Sequence, residues 1–162
     1  MRRELCLLAL IPGCSVVLDF SDKAIPKDAM IDAPYTADEC AYKEPNDSFD
    51  TAQVITATDT GPAAICADDP ADYYKFTIAG ATSVTWAIQF TNRPGGDLDL
   101  ELLAPDGTQK SISRGFGDGE TILCPGSAPA CPALTDGDYV MRVFPATQGA
   151  VNAYTFSVQV TQ

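Results

Sequence analysis

Short runs in which apolar and polar residues alternate occupy most of the chain after residue 70. The alternation is clearest over residues 74–78, 84–90, 98–102 and 154–160. A period of two is typical of a β-strand with one buried face, because successive side chains point to opposite sides of a sheet. Weaker strands of the same kind are predicted over residues 109–114, 120–123 and 137–144.

Turn-forming residues separate the runs. Pro105-Asp106-Gly107 is the clearest turn, since Pro presets φ, Asp bonds its own backbone and Gly accepts a positive φ. The sequence has no helical period of useful length and no internal repeat. Several short strands with one apolar face each predict an all-β fold, an antiparallel two-sheet β-sandwich of jelly-roll type. Residues 49–54 fit a helical turn or a first strand equally well.

The first residues are typical of an export signal. Arg2 and Arg3 give a basic start, and the apolar run from Leu5 to Ile11 is too short to span a bilayer. The junction Ile11-Pro12-Gly13-Cys14 resembles the lipobox of bacterial lipoproteins, in which the cysteine is acylated. This resemblance implies lipidation of Cys14 and anchoring at the bacterial outer membrane or cell surface. An ordinary signal peptide or a misplaced start codon are the alternatives.

Three segments follow from these observations. Residues 1–13 are predicted to be a lipoprotein signal peptide. Residues 14–43 mix Asp, Lys, Pro and Ala with no period of 2 or 3.6, so we expect a lipidated, flexible tether. Residues 44–162 are predicted to be a single sandwich domain, and a chain of this size can bury one core.

Charge and composition exclude several classes of function. The chain has 22 acids and 10 bases, a formal net charge of −12, so phosphate backbones and anionic lipid headgroups are repelled. We therefore expect no nucleic-acid partner, and contact with a membrane only through the lipid anchor. The absence of His removes the commonest general base and the commonest zinc ligand. No nucleophile elbow is present, and the sequence predicts that the protein is not an enzyme.

Four cysteines remain after the signal peptide and Cys14, namely Cys40, Cys66, Cys124 and Cys131. An even number in an exported chain favours disulfides, and three pairings are possible. Cys124 and Cys131 bracket a short loop that folds back easily, which leaves Cys40 to pair with Cys66. A zinc site of four cysteines is the rival interpretation, but the spacing is irregular and contains no C-x-x-C pair.

Two acidic stretches contain the candidate ligands of a cation. Glu44-Pro45-Asn46-Asp47 is rich in turn formers, and Asp68-Asp69-Pro70-Ala71-Asp72 immediately precedes a strand. Carboxylate and amide oxygens in this number suit Ca²⁺, which accepts six to eight oxygen ligands. The alternative is that the first stretch caps a turn and the second is a solvated bend. The predicted metal ligands are Glu44, Asn46, Asp47, Asp69 and Asp72.

The order of motifs resembles that of a known family. An E-x-N-D turn precedes a D-x-x-D-Y-Y-x-F strand, then Gly96-Asp97-Leu98-Asp99-Leu100 and Asp136-Gly137-Asp138-Tyr139. From Glu44 to Val160 this resembles the bacterial pre-peptidase C-terminal domain, a β-sandwich module of secreted proteases and other exported proteins. The family includes the collagen-binding domains of clostridial collagenases.

The resemblance implies functional roles for particular residues. In calcium-binding members the two acidic motifs supply the ligands, which correspond to the five residues named above. Tyr42 stands where those members often have a further acid, so we expect weak binding. Asp97 and Asp99 share an outward strand face and imitate a glycosidase pair of carboxylates. In the family, however, this D-L-D-L segment is structural.

These observations predict a non-catalytic, lipid-anchored envelope module that is stabilised by calcium and binds an extracellular polymer or an envelope partner protein. A purely structural envelope lipoprotein without a specific ligand is the alternative. Tyr73 and Phe116 are candidate aromatic contacts for a ligand, although packing is the more frequent role of such residues. An aromatic-lined sheet face would favour polymer binding, whereas a face of Thr, Lys and Gln would favour the structural alternative.

Overall fold

The computed structural model describes residues 35–162, and the predicted signal peptide, Cys14 and most of the predicted tether lie outside this range. The described part begins with a short helix, α1 (Ala37–Cys40). Its capping box joins Thr36 and Glu39, since Glu39 N donates to Thr36 Oγ1 at 3.2 Å and the Glu39 carboxylate accepts from Thr36 N. The sequence predicted no regular structure here, so α1 is a difference from expectation.

The predicted alternating runs are all strands. In chain order the strands are β1 (Gln53–Val54), β2 (Ala63–Ile65), β3 (Asp72–Ile78), β4 (Ser83–Phe90), β5 (Leu98–Leu103), β6 (Gln109–Ser113), β7 (Gly119–Cys124), β8 (Gly126–Ser127), β9 (Ala130–Cys131), β10 (Gly137–Pro145) and β11 (Asn152–Thr161). A 3₁₀ turn (Phe49–Thr51) precedes β1, so residues 49–54 form both a helical turn and a strand. Among the described residues, no helix is long and apolar enough to cross a membrane.

The strands form two main sheets. One sheet has five strands in the order β1-β3-β10-β5-β6, and the other has four in the order β2-β11-β4-β7. All pairs are antiparallel except β1 with β3. Strands β8 and β9 form a separate two-stranded ribbon. The predicted all-β sandwich is confirmed.

The core lies between the inward faces of the two sheets. Trp86, Ile88, Leu98, Leu100 and Tyr74 are among the largest fully buried side chains. Burial of each such side chain stabilises the fold by about 1.5–3 kcal/mol relative to leaving it exposed. The predicted turn at Pro105 also forms as expected, because Gly107 has φ 79° and the carboxylate of Asp106 accepts from Thr108 N at 3.0 Å.

The two outer faces of the sandwich differ in chemistry. On the five-stranded sheet the outward residues include five charged ones, and they comprise Tyr73, Lys75, Thr77, Asp99, Glu101, Leu103, Asp138, Val140, Arg142 and Phe144. On the four-stranded sheet the outward residues carry no charge and, apart from Leu123, are small or polar, and they comprise Ala64, Ser83, Thr85, Ala87, Gln89, Thr121, Leu123, Ala153, Thr155, Ser157, Gln159 and Thr161.

Two disulfides have the pairing expected from the sequence. Cys40 is bonded to Cys66, with 5.9 Å between their Cα atoms, and Cys124 to Cys131, with 5.0 Å. Chain-entropy estimates give stabilisation of about 3.5 kcal/mol for the longer loop and about 2.5 kcal/mol for the shorter. Two disulfides are typical of an exported protein.

Candidate metal centre

The first acidic stretch is a turn that is attached directly to β3. The backbone carbonyl of Asn46 accepts from Tyr73 N at 2.9 Å, and the Glu44 carboxylate accepts from Asn46 N at 2.9 Å. Lys43 enters the turn with φ 57°, in the left-handed region. The turn therefore directs the Glu44 and Asp47 side chains outward, where both residues are exposed, while Asn46 is fully buried.

The second acidic stretch is a bend that leads into β3. Asp69 N donates to Cys66 O at 3.2 Å, and Asp69 Oδ1 accepts from Ala71 N at 3.1 Å. Asp68 has φ 72°, a conformation that Asp tolerates better than most residues. The disulfide from Cys66 to Cys40 ties this bend to α1, which lies just before the first acidic turn. The two acidic stretches are thus held together covalently.

Three of the predicted ligands meet at one point. Glu44, Asp47 and Asp69 each contribute a carboxylate oxygen, and these oxygens lie within 4.8 Å of one another. Such a group of carboxylates can hold a cation, and its oxygen atoms suit a hard ion such as Ca²⁺. Burial raises the pKa of Glu44 above its usual value, and the hydrogen bond from Asn46 N offsets part of this shift. The charges of Asp47 and Asp69 raise the pKa of Glu44 further. Burial also raises the pKa of Asp69.

The other two predicted ligands, Asn46 and Asp72, form a buried layer beneath these carboxylates. With its amide nitrogen turned toward the acids, Asn46 donates to Asp72 Oδ1 at 3.0 Å and to Glu44 Oε1 at 3.1 Å. Asp72 is only 1% exposed. The layer therefore connects the exposed carboxylates to the interior of the sandwich.

Two tyrosines that the sequence did not predict as site residues complete this layer. The hydroxyl of Tyr154 donates to Asp72 Oδ2, and the hydroxyl of Tyr74 lies 3.3 Å from the same oxygen. The two hydroxyls are 2.8 Å apart. Their alternation in β3 and β11 indicated core positions, but nothing in the sequence indicated that they meet at Asp72. A buried carboxylate requires donors, and this requirement is the signal that could have suggested them.

Burial raises the pKa of Asp72 to about 8. The hydrogen bond from Tyr154 acts in the opposite direction and lowers this pKa. The charges of Asp69 and Glu44 raise it further. Burial likewise raises the pKa of Tyr154 well above its ordinary value. In the absence of a cation, the ionised form of Asp72 is therefore disfavoured in the folded protein.

Tyr42, Asp97 and Asp99 lie outside the carboxylate group. The Tyr42 ring packs against Phe156, with 6.2 Å between ring centroids, so this residue supplies no carboxylate to the site. Asp99 pairs with Arg114, with 3.4 Å between Asp99 Oδ2 and Arg114 Nε. Burial raises the pKa of Asp99 to about 6, although the charge of Arg114 lowers it.

A row of aromatic rings and guanidinium groups crosses the outer face of the five-stranded sheet. The Arg142 guanidinium lies 5.6 Å from the Tyr73 ring centroid and 4.4 Å from that of Phe144, and the Arg114 guanidinium lies 5.5 Å from Phe144. These distances are within the range of cation–π interaction. Glu101 also pairs with Arg142, at 3.0 Å. We call Tyr73, Arg142, Phe144 and Arg114 the aromatic–guanidinium row.

A cleft separates this row from the acidic bend. It has a volume of about 610 Å³, and its lining includes Asp68, Asp69 and Pro70 of the bend together with Arg142 and Phe144 of the row. The loop at Gln148 and Gly149 also lines the cleft. The candidate metal centre and the aromatic–guanidinium row thus border the same space.

Phe116 lies in the loop between β6 and β7 and is 93% exposed. The loop is held by hydrogen bonds, since Asn92 Nδ2 donates to Phe116 O at 2.8 Å and Gly115 N donates to Glu120 Oε1 at 2.7 Å. Tyr73, the other aromatic candidate, is partly buried in the aromatic–guanidinium row.

Comparison with known proteins finds similarity in fold and not in sequence family. No protein-family model and no curated protein matches it. The pre-peptidase C-terminal domain of the collagenase from Bacillus anthracis is similar in structure, with a TM-score of 0.53, 17% sequence identity, and coverage of 67% of this chain and 94% of that chain. The periplasmic inhibitor of g-type lysozyme from Aeromonas hydrophila has a TM-score of 0.41, 13% identity, and coverage of 68% and 96%.

The first of these similarities confirms the sequence-based resemblance at the level of the fold. The protein has the fold of a pre-peptidase C-terminal domain, the class of β-sandwich that its motifs predicted. An identity of 17% supports this statement about fold and no statement about a ligand.

The raised pKa of Asp72 predicts how stability depends on pH without divalent cations. The unfolded chain ionises Asp72 near pH 4 and the folded protein only near pH 8, so the unfolded state loses its proton first. The free energy of unfolding should therefore fall as the pH rises from about 4 to about 8. Urea unfolding in EDTA at pH 5 and pH 8 measures this change.

The matched variant for this measurement is Asp72→Asn, which keeps the shape of the neutral carboxyl group and does not titrate. The slope of unfolding free energy against pH should become smaller in the variant, with Asp99, Glu44 and Asp69, whose pKa values are also raised, responsible for what is left. An identical slope in both proteins would contradict the role assigned to Asp72.

Proposed function

We propose that the protein is a non-catalytic, calcium-stabilised binding module of the bacterial cell envelope, anchored by a lipid on Cys14. It binds an extracellular polymer or a partner protein in the cleft between the acidic bend and the aromatic–guanidinium row. The observation that carries this proposal is the position of the cleft, because Asp69 and Phe144 line the same space.

The calcium part of the proposal rests on the convergence of oxygen atoms. Glu44, Asp47 and Asp69 carry like charges within a few ångströms, and such a group repels itself unless a cation is bound. Asn46 has two useful orientations. Without a cation its amide nitrogen donates to Glu44 and Asp72, and with a cation the amide can turn so that its oxygen becomes a ligand. At the same time Asp72 Oδ1 would lose its hydrogen bond from Asn46 and become available as a further ligand of the cation.

Calcium would act on the ligand cleft through the acidic bend. Asp69 is a proposed ligand, and Asp68 to Pro70 form one wall of the cleft. A cation between Glu44 and Asp69 would hold this wall against the first acidic turn. Binding in the cleft should therefore be tighter when calcium is present, because less ordering of the bend remains to be done.

The aromatic–guanidinium row supports ligand binding over the purely structural alternative. Aromatic and Arg side chains are enriched at binding hot spots, and here two rings and two guanidinium groups are already aligned by the sheet. Rings and planar guanidinium groups suit an extended polymer with flat faces. The opposite outer face, of Thr, Ser and Gln, has the composition expected of a structural surface.

The calcium proposal predicts a gain in thermal stability. We expect the domain to melt several degrees higher in about 10 mM CaCl₂ than in EDTA, because a site with a dissociation constant of roughly 10⁻⁴–10⁻³ M gains about 1.4–2.7 kcal/mol. Asp69→Asn should abolish most of the shift. Asp106→Asn is the matched control, since it removes the same charge but Asn preserves the Asp106 turn.

An unchanged melting temperature in the native protein would contradict the calcium proposal. A shift that persists in Asp69→Asn would mean that calcium binds at another site, and Asp97 and Asp99 would be the next candidates.

The lipid anchor predicts a membrane location that depends on one residue. Full-length protein expressed in a bacterial host should fractionate with membranes, and Cys14→Ala should not, because only the acyl chains hold the domain there. Fractionation followed by detection of the protein measures this. A native protein that is found entirely in the soluble periplasmic fraction would contradict acylation.

Ligand binding predicts a residue-specific and calcium-dependent capture. Insoluble polymers and solubilised envelope, tested with and without Ca²⁺, should retain the native domain in at least one case. Phe144→Ala, which removes a ring that lines the cleft, should weaken that retention about tenfold or more, the loss typical of an anchor residue. Thr155→Ala on the opposite sheet is the control and should bind normally. Failure of every polymer and envelope fraction would favour the purely structural alternative.

A further inference from the structure

The two disulfides differ in how deeply they are buried. Cys124 and Cys131 are 1% and 5% exposed and belong to the hydrophobic core. Cys40 and Cys66 are only half-buried, and Cys66 lines the cleft beside the acidic bend. Thiol–disulfide exchange requires that a thiolate reach one of the bonded sulfur atoms. An external thiol can therefore approach the Cys40–Cys66 bond more readily than the Cys124–Cys131 bond.

Helix α1 depends on the more accessible disulfide for its position. The helix has four residues, and none of them is buried. A helix this short is not stable by itself, and its capping box joins Thr36 to Glu39 within the same segment. In the described part of the chain, the disulfide and a hydrogen bond from Ala67 N to the Tyr35 hydroxyl, at 3.3 Å, attach this segment to the loop after β2. When the disulfide breaks, little burial remains to hold α1 against the acidic bend.

The same disulfide connects the two halves of the candidate metal centre. On one side, Cys40 precedes Glu44 by four residues. On the other side, Cys66 O accepts from Asp69 N at 3.2 Å. Carboxylate oxygens of Glu44 and Asp69 lie within 4.8 Å of each other, and their charges repel. The disulfide therefore holds together two parts of the site that electrostatic repulsion drives apart.

The buried layer beneath the carboxylates is held by contacts that involve no cysteine. Asn46 O accepts from Tyr73 N, and Tyr154 donates to Asp72. Loss of the Cys40–Cys66 bond would thus separate the outer carboxylates and leave the core folded. We propose that this disulfide is a redox switch, whose reduction lowers the affinity of the candidate metal centre for Ca²⁺. The switch requires the calcium site proposed above.

The reductant is a dithiol, such as the cysteine pair of an exported thiol–disulfide oxidoreductase. One of its thiolates attacks Cys66 Sγ and forms a mixed disulfide, while Cys40 leaves as a thiolate and takes up a proton. The second thiol of the reductant then attacks the mixed disulfide and releases Cys66. Two electrons pass from the dithiol to the protein, so the reductant ends as a disulfide and Cys40 and Cys66 end as thiols.

Selective reduction of the folded protein is the first test. The full-length chain carries Cys6→Ser and Cys14→Ser, so that its remaining cysteines are those of the two disulfides. It is incubated in EDTA with increasing dithiothreitol, alkylated and analysed by peptide mass mapping. We expect alkylation of Cys40 and Cys66 at concentrations that leave the other disulfide intact. Reduction of both bonds together would overturn the switch, because the two bonds would then open by the same unfolding event.

Calcium titrations of the same chain measure the effect on the metal centre, with the amide shifts of residues around Asp69 followed by NMR. Replacement of both Cys40 and Cys66 by Ser should raise the dissociation constant for Ca²⁺ about tenfold or more, because the cation itself must then bring the turn and the bend together. Replacement of both Cys124 and Cys131 by Ser is the matched control and should leave the constant unchanged. Equal constants in the parent and in the Cys40 and Cys66 variant would contradict the switch.

A last measurement needs no change at the disulfides, because coupling between two equilibria is reciprocal. Saturating Ca²⁺ should shift the equilibrium between dithiothreitol and the Cys40–Cys66 bond toward the disulfide, by the same factor by which reduction raises the dissociation constant for Ca²⁺. If the oxidised protein binds Ca²⁺ but this equilibrium does not shift, the switch is overturned and the calcium site remains. If the oxidised protein binds no Ca²⁺, the calcium site and the switch are both overturned.

Discussion

The burial of the Asp72 carboxylate is the constraint on which the rest of the structure depends. Asp72 is the first residue of β3 in the five-stranded sheet, and Tyr154, which donates to it, lies on β11 of the other sheet. Asn46 reaches the same carboxylate from the acidic turn. A buried carboxylate without partners costs several kcal/mol. The two sheets and the turn must therefore keep one relative position, and that position brings Glu44, Asp47 and Asp69 together.

This constraint also explains why the candidate metal centre and the cleft lie side by side. The bend from Asp68 to Pro70 is short and ends at Asp72, so it is held at one end by the buried carboxylate and at the other by the Cys40–Cys66 disulfide. Between these fixed points the bend lines the cleft together with Phe144. A cation bound to Asp69 would act on the part of this wall that neither end restrains.

The two outer surfaces of the sandwich differ in chemistry, while the same packed core lies between them. Most inward positions of the strands are apolar, whereas outward positions are free to vary, because alternation assigns them to solvent. The five-stranded sheet uses this freedom for the aromatic–guanidinium row and its carboxylate partners. The four-stranded sheet uses it for a surface without charge. One core therefore supports two outer surfaces of different chemistry.

Much of this architecture was predictable from local sequence. The strands, the turn at Pro105 and the disulfide pairing follow from alternation, turn chemistry and the spacing of cysteines, all of which act over short distances. Helix α1 was missed because a helix of four residues has no measurable period, although the T-x-x-E capping box at Thr36 was present in the sequence. The 3₁₀ turn and β1 were ambiguous for a similar reason, since each is only two or three residues long.

The sequence by itself determined which residues could supply oxygen ligands, and that they would come from two stretches flanking a disulfide. It did not determine how deeply each of these residues is buried. Only the tertiary structure decided that Glu44, Asp47 and Asp69 are the outer group while Asn46 and Asp72 are buried beneath it. The partnership of Asp72 with Tyr154 spans 82 residues of sequence and two different sheets. No local pattern encodes such a contact, because it depends on how the sheets pack, and packing is a property of the whole core.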